Sequence, residues 1–402
     1  MPTTSALPPG VPATHQAVAT SGLRAPLQII DVPTEAPGHG HVLIHVSWTS
    51  SSPLELHQAD GGLLVQQHPY ILGGSFAGTV VSLGPKDPTA PAAPRDRLQP
   101  GDQVFGFAFR HDREKGFQTY ITTPQRSVSK LPPNLTPQQA VTVSTNLVTA
   151  MHTLTTDLGL QLPWPVPGDW SATNKITPTI LVWGAASSVG LYALQVLRYW
   201  GYNRGVIAVA SSRHHEELKR LGAAACADYQ TAGVVEKTLG LADDINVDES
   251  KQPKIPLILD CIGSRDGSLR PITKIAEPRS KVAIMLPVIN TYSSSDKESL
   301  PEYEMDVSRV LSGEWKKGVE LKGTRTHFYE KNEFFKFHLQ PDIIPALLES
   351  GAIEPNKQRI IEGTTLLERA QKALDLLRDR APSGEKLVWR VADDGNIDDT
   401  QV

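Results

Sequence analysis

The stretch ILVWGAASSVGLYALQV, residues 180–196, holds the residues best suited to chemistry. An apolar run ends at Gly184, only Ala, Ser and Val follow, and Gly190 lies in the first turn of a helix-like segment. Small residues let an anion approach the backbone, and the N–H groups and dipole of a helix start favour negative charge. A second apolar run, VIAVA, arrives at the distance expected of a βαβ unit that binds a dinucleotide. Any close strand-to-helix turn also favours Gly and Ala, so packing alone would select similar residues. The surrounding pattern favours the nucleotide.

The end of VIAVA indicates which nucleotide. A site for NAD places Asp or Glu there for the ribose hydroxyls, whereas this chain reads Ser211-Ser212-Arg213-His214, neutral and basic residues suited to a 2′-phosphate. The expected cofactor is NADPH. Ser211 or Ser212 could also cap the helix RHHEELKRLG, a role compatible with holding phosphate.

These residues need a scaffold. From about residue 178 the runs TILVWG, VIAVAS, IPLILDCIG and KVAIMLPV alternate with helical segments, the pattern of a parallel sheet covered on both faces. Residues 14–150 instead carry short runs such as HVLIHVSW, GGSFAGTVVSLG, GDQVFGFAF and GFQTYITT between Gly, Pro and Asp, which predicts a mostly antiparallel β domain. The proline-rich stretches 84–102 and 161–178 read as loops. In the tail, TTLLERAQKALDLLRDR has helical spacing with Thr364 or Thr365 as its cap, and KLVWRV reads as a strand.

Composition removes several functional classes. At 402 residues with 40% hydrophobic and 20% charged residues, the chain can bury a large core. A net charge of -4 gives no basic footprint for nucleic acid. No run of about 18 apolar residues predicts a membrane span, and the N-terminus lacks a targeting pattern, so a cytoplasmic location is expected. Cys226 and Cys261 are the only cysteines, which excludes a disulfide framework or a cysteine-rich zinc site.

The motifs HPYILGGSFAGTVVSLG, GDQVFGF, GFQTYI, KLPPNLTPQQAVTV, ILVWGAASSVG, LGAAACADY, LILDCIG and PSGEKLVWRV occur in an order that resembles the zinc-independent branch of the medium-chain dehydrogenase/reductase superfamily. In spacing they are most similar to fungal trans-acting enoyl reductases. The resemblance implies an α/β protein with a GroES-like, mostly-β catalytic domain (1–150 and 331–402) around a Rossmann doubly wound parallel-sheet domain (151–330), and a cofactor in the cleft. It places the pyrophosphate turn on Ala186, Ser187, Ser188, Val189 and Gly190, and the 2′-phosphate patch on Ser211 to His214 with Tyr229. It puts Ile262 and Gly263 beside the nicotinamide, Leu286, Pro287 and Val288 beside the substrate, and Pro382 and Ser383 in a late cofactor contact.

The family's Asn-Pro-x-Asp-x-Lys segment falls on Ser52, Pro53, Leu54, Glu55 and His57, making Leu54, Glu55 and His57 further cofactor contacts. His57 replaces the lysine. As an imidazole it would serve as the catalytic hydrogen-bond donor and give the reaction a pH dependence near 6.5. Ser52-Pro53-Leu54-Glu55 also reads as a capping box with proline at N1. Gly74-Ser75 stands where a zinc-binding Gly-His-Glu would begin, so no metal is expected.

The function expected is NADPH-dependent hydride transfer to an activated carbon–carbon double bond, an enoyl thioester or enone, in secondary metabolism. The partners implied are a small or carrier-bound enoyl substrate and a polyketide synthase, with the chain a monomer or homodimer. A quinone or zinc-free alcohol-type reductase, or a nucleotide-binding protein without turnover, are the alternatives.

Overall fold

A computed structural model of the chain describes residues 7–88, 98–171, 178–245, 253–294 and 300–392. Residues 89–97 and 172–177 of the two expected loops lie outside these. The chain forms two compact units: Met1–Thr145 with Ser293–Leu300 and Glu330–Val402, and Asn146–Tyr292 with Pro301–Tyr329. Among the described residues, no helix is long and apolar enough to cross a membrane.

The first unit is built around the long strand His41–Ser51, which pairs antiparallel with Ser75–Leu83, Tyr120–Pro124 and Glu385–Arg390. The expected two-residue alternation is lost in this strand. Val42, Leu43 and Ile44 are all buried, and so is every residue from Trp48 to Ser51, because both faces are covered. The tail strand Glu385–Arg390 joins the sheet beside it, with Leu387 opposite Ser51 and Trp389 opposite Thr49. Trp389 is fully buried, meets the Phe117 ring edge-on at 4.5 Å, and donates its indole N–H to Ser51 Oγ. Burying such a ring contributes about 4–6 kcal/mol by area alone.

The tail helix Leu366–Arg378 lays Leu366, Ala370, Ala373 and Leu374 into the same core. Thr365 is its N-cap, accepting from Glu368 N–H, while Thr364 binds the Glu368 carboxylate. Of the two threonines, the second therefore caps.

The second unit holds a six-stranded, wholly parallel sheet in the order Ala225–Ala227, Val206–Val209, Ile180–Trp183, Leu257–Asp260, Lys281–Met285, Glu320–Thr324. The strands ILVW, VIAV and LILD, apolar but for Asp260, are buried at every position, as strands covered on two faces require. The first strand in sequence is central, and the order runs outward from it in both directions. The switch point therefore lies between Ile180–Trp183 and Leu257–Asp260, where open α/β sheets bind ligands beyond their carboxyl ends.

Candidate functional site

One side of the switch point is the turn after Trp183. Gly184 has φ +73°, and its amide and that of Ala185 both donate to Val209 O. Ser187 caps the helix Ser188–Tyr199, its hydroxyl accepting from Gly190 N–H at 3.2 Å and meeting the Cys261 thiol. A Cβ on Gly184 would fall 2.4 Å from Ile262 Cγ1, and one on Gly190 would fall 2.6 Å from Ala185 O. The glycines thus serve the turn's own packing. Between them Ala186, Ser187, Ser188 and Val189 stay half-exposed at a helix start, so the turn is both tightly packed and open to an anion.

The neighbouring strand ends bring the next group together. Val209 pairs with Ala227, which sets Ser211–His214 beside Asp228 and Tyr229. Ser212 N–H donates to Asp228 Oδ2 at 2.9 Å and Gln230 N–H to Oδ1 at 2.9 Å; these bonds hold the Asp228 carboxyl below its ordinary pKa. Ser212 and Arg213 are exposed, and Tyr229 is 49% exposed. Ser211 stands at the start of the short turn Ser212–His214 but its side chain makes no capping bond, nor does that of His214 at the start of His215–Leu221. The capping reading of the serines therefore fails, because the extra turn separates them from the helix. Asp228 was missed in the sequence: it lies 16 residues beyond Ser212, and only strand pairing brings it close.

The other side of the switch point is the turn after Asp260. This carboxylate is fully buried and accepts from Ile262 N–H (3.0 Å), Gly263 N–H (3.1 Å) and Ser268 Oγ–H (2.9 Å). Burial pushes its pKa up to about 6 against those bonds. Burial, with Asp260 adjacent, also pushes the Cys261 thiol up, so it is no nucleophile. Ile262 is 38% exposed, open on the side away from Gly184. Of the expected substrate residues, Val288 is wholly buried in the core and Pro287 is buried. Leu286 packs toward Gly323, whose Cβ would fall 2.8 Å from it. Pro287 and Val288 are thus turned inward by the sheet they follow, while Leu286 stays half-exposed.

In the first unit, the helix Pro53–Gly61 begins as expected, with Pro53 at N1 and the Glu55 carboxylate accepting from Ser52 N–H (2.7 Å) and Ser52 Oγ–H (2.5 Å). Its other oxygen accepts from Gly74 N–H at 3.2 Å, so Glu55 ties the helix start to the next strand. Ser75 Oγ lies 2.6 Å from Thr145 Oγ1. Leu54 is half-buried at the helix start; Pro382 is half-buried and Ser383 exposed in the turn before Glu385–Arg390. The surroundings of His57 do not suit the titration expected near 6.5. Its side chain is 7% exposed, and desolvation, partly offset by Asp60, lowers its pKa to about 4. It is neutral near pH 6.5 and cannot produce the titration expected there.

Lys386 was missed. It is 5% exposed, and burial lowers its pKa to about 8 against the attraction of Glu55. The signal was a lysine leading a buried strand, KLVW. Among the described residues, no three His, Cys, Asp or Glu side chains converge as a metal site.

Residues 38–133 match the family model of the alcohol dehydrogenase GroES-like domain. The chain is 32% identical over 231 residues to trans-enoyl reductase tazE of Aspergillus terreus, covering 56% of this chain and 72% of that one. It is 25% identical over 372 residues to trans-enoyl reductase thnE of Trichoderma harzianum, covering 90% and 92%. An alcohol dehydrogenase superfamily protein from Novosphingobium aromaticivorans shares the fold with TM-score 0.69 at 21% identity, over 94% of this chain and 100% of that one. The parallel sheet with its glycine turn, the GroES-like match and these relatives agree: the chain belongs to the medium-chain dehydrogenase/reductase superfamily of oxidoreductases, similar to fungal trans-enoyl reductases.

Proposed function

We propose that the protein is an NADPH-dependent, zinc-independent reductase of an activated carbon–carbon double bond in an enoyl thioester. The observation that carries the reading is the pair of turns at the switch point: the half-exposed Ala186–Val189 at a helix start, beside an open Ile262. The first suits a pyrophosphate and the second offers an apolar shelf for a flat ring. Bound there, the nucleotide would supply the hydride.

The chain's own work is binding and orientation. Ala186 to Gly190 receive the pyrophosphate, and Ser211, Ser212, Arg213 and His214 the 2′-phosphate, with Tyr229 alongside. Asp228 stays ionised, and its two oxygens are turned to the Ser212 and Gln230 amides. Ile262 and Gly263 set the ring. No side chain need form a covalent bond with substrate, since alignment and exclusion of water account for the acceleration such chemistry needs.

The named activity of the two relatives supports an enoyl substrate; delivery of that substrate by a polyketide synthase in secondary metabolism is part of the same proposal. The test is NADPH consumption by the purified protein across crotonyl and longer enoyl thioesters, enones and quinones. Oxidation confined to enoyl thioesters, unaffected by chelator and without stoichiometric zinc by metal analysis, is expected. Preference for quinones, or zinc-dependent activity, overturns the reading.

A further inference from the structure

We infer that Asp260 is a positioning residue: its carboxylate sets the Cys261–Ser264 turn so that Ile262 is presented at Gly184 and the strand Val288–Thr291 is tied to the same turn. The inference rests on the nucleotide reading above.

A carboxylate is out of place where Asp260 stands. In the sheet it is paired with Trp183 on one side and Ile284 on the other, and the three residues before it are Leu257, Ile258 and Leu259. Burying a charge among apolar neighbours is costly unless its bonds are made. Among the described residues they are made without a cation. The hydrogen-bond donors to the carboxylate are the Ile262 and Gly263 amides and the Ser268 hydroxyl. Every bond of the buried charge therefore goes into the shape of the turn that follows it.

The turn is fixed from its far side as well. Gly263 has φ +66°, and a Cβ there would fall 2.5 Å from Met285 O and 2.9 Å from Pro287 O. Its carbonyl accepts from Ile289 N–H at 2.6 Å, and Ser264 bridges to the same residue. Ser264 N–H donates to Ser268 Oγ at 3.0 Å, which closes the loop back to Asp260. The Ile262 side chain, held between its anchored amide and the Gly184 α-carbon, has little freedom to turn away. At neutral pH the carboxylate is ionised although burial has raised its pKa to about 6, so the fold carries this charge at a cost. A strand end needing only to pack would carry an apolar residue, as the neighbouring strands do at Trp183 and Ile284.

The test compares the native protein with Asp260→Asn and the milder Ser268→Ala, each checked first for a cooperative thermal transition. Three readouts are taken: amide exchange across 261–268 without nucleotide, the dissociation constant of NADPH, and the emission of bound NADPH, which reports the surroundings of its ring. Asp260→Asn should exchange about tenfold faster at Ile262 and Gly263 while residues 184–191 are unchanged. It should hold NADPH within about threefold of the native affinity, and lose most of the emission change on binding. Ser268→Ala should fall between the two. A folded Asp260→Asn protein with native exchange and native emission overturns the inference alone. Affinity and emission lost in parallel also overturn it, since that marks general loss of structure. Failure of the native protein to bind NADPH overturns the nucleotide reading and the inference with it. Should Asp260→Asn not fold, Ser268→Ala decides by the same readouts.

Discussion

The side chain of Ile262 rests against the α-carbon of Gly184, so closely that a Cβ at Gly184 would sit 2.4 Å from Cγ1 and 2.5 Å from Cδ1. Two turns from strands distant in sequence are thereby locked together. Gly184 also has φ +73°, a conformation that costs a side-chain-bearing residue about 1–3 kcal/mol. Gly184→Ala should therefore destabilise the protein by at least that amount in a denaturant titration and push Ile262 off its seat. The companion variant Ile262→Ala removes the clash and should restore much of the loss. Equal destabilisation with and without Ile262 would show that the backbone angle, not the contact, is decisive.

Arg213 is exposed beside Ser212, whose amide is held by Asp228. If the guanidinium receives the 2′-phosphate, Arg213→Ala removes a charge-assisted contact of roughly 1.5–3 kcal/mol, lessened by solvent screening at this exposed position. NADPH should bind about tenfold more weakly and NADH almost unchanged, measured by fluorescence titration at fixed salt. Native protein that binds both nucleotides equally would refute the assignment.

Much of the second unit could be read from the sequence, because ILVW, VIAV and LIL are short continuous apolar runs alternating with helical segments, as a doubly covered parallel sheet requires. The glycine turn was legible for the same reason. Residues whose character depends on tertiary burial were not. The helix Pro53–Gly61 carries Glu55, His57, Gln58 and Asp60, a polar string that reads as a surface helix, yet all four are buried. Asp228 and Asp260 were passed over because their partners are set by strand pairing and turn geometry rather than by spacing. The burial of Val288 was not legible either, because the resemblance gives a position along the chain but not which way its side chain turns.

His57 should appear in the dependence of stability on pH. Its folded pKa of about 4 lies below the ordinary 6.5, so the unfolded chain binds the extra proton between these values. The stability that a neutral His57 brings is complete above about pH 6.5 and is lost as pH falls toward 4, up to about 3 kcal/mol. His57→Gln should flatten that segment of the denaturation-against-pH curve. Superimposable curves for the native protein and His57→Gln would show that the imidazole is not desolvated as the structure indicates.

Lys386 follows the same course in a higher pH window and makes a sharper test, because its group is charged in the unfolded chain and disfavoured in the folded one. Its pKa falls from an ordinary 10.5 to about 8 through burial, while Glu55 pulls it upward. Below pH 8 the ammonium is buried at a cost to the fold; between 8 and 10.5 the folded protein has shed the proton and the unfolded chain has not, so stability rises with pH. Above 10.5 the penalty is gone. The full effect is about 3 kcal/mol. Lys386→Met, which keeps the length and removes the charge, should therefore be more stable than the native protein at pH 7 and lose that advantage by pH 10.5. Against this stands Glu55, whose carboxylate would face the new apolar side chain without its cation. Its bonds to Ser52 and Gly74 remain and offset part of that cost, so the gain at pH 7 should fall short of the full effect. Urea titrations of both proteins at pH 7, 8.5 and 10.5 decide the matter: a destabilised Lys386→Met at pH 7 would mean that the ammonium is held by Glu55 as a paired charge rather than tolerated as a buried one.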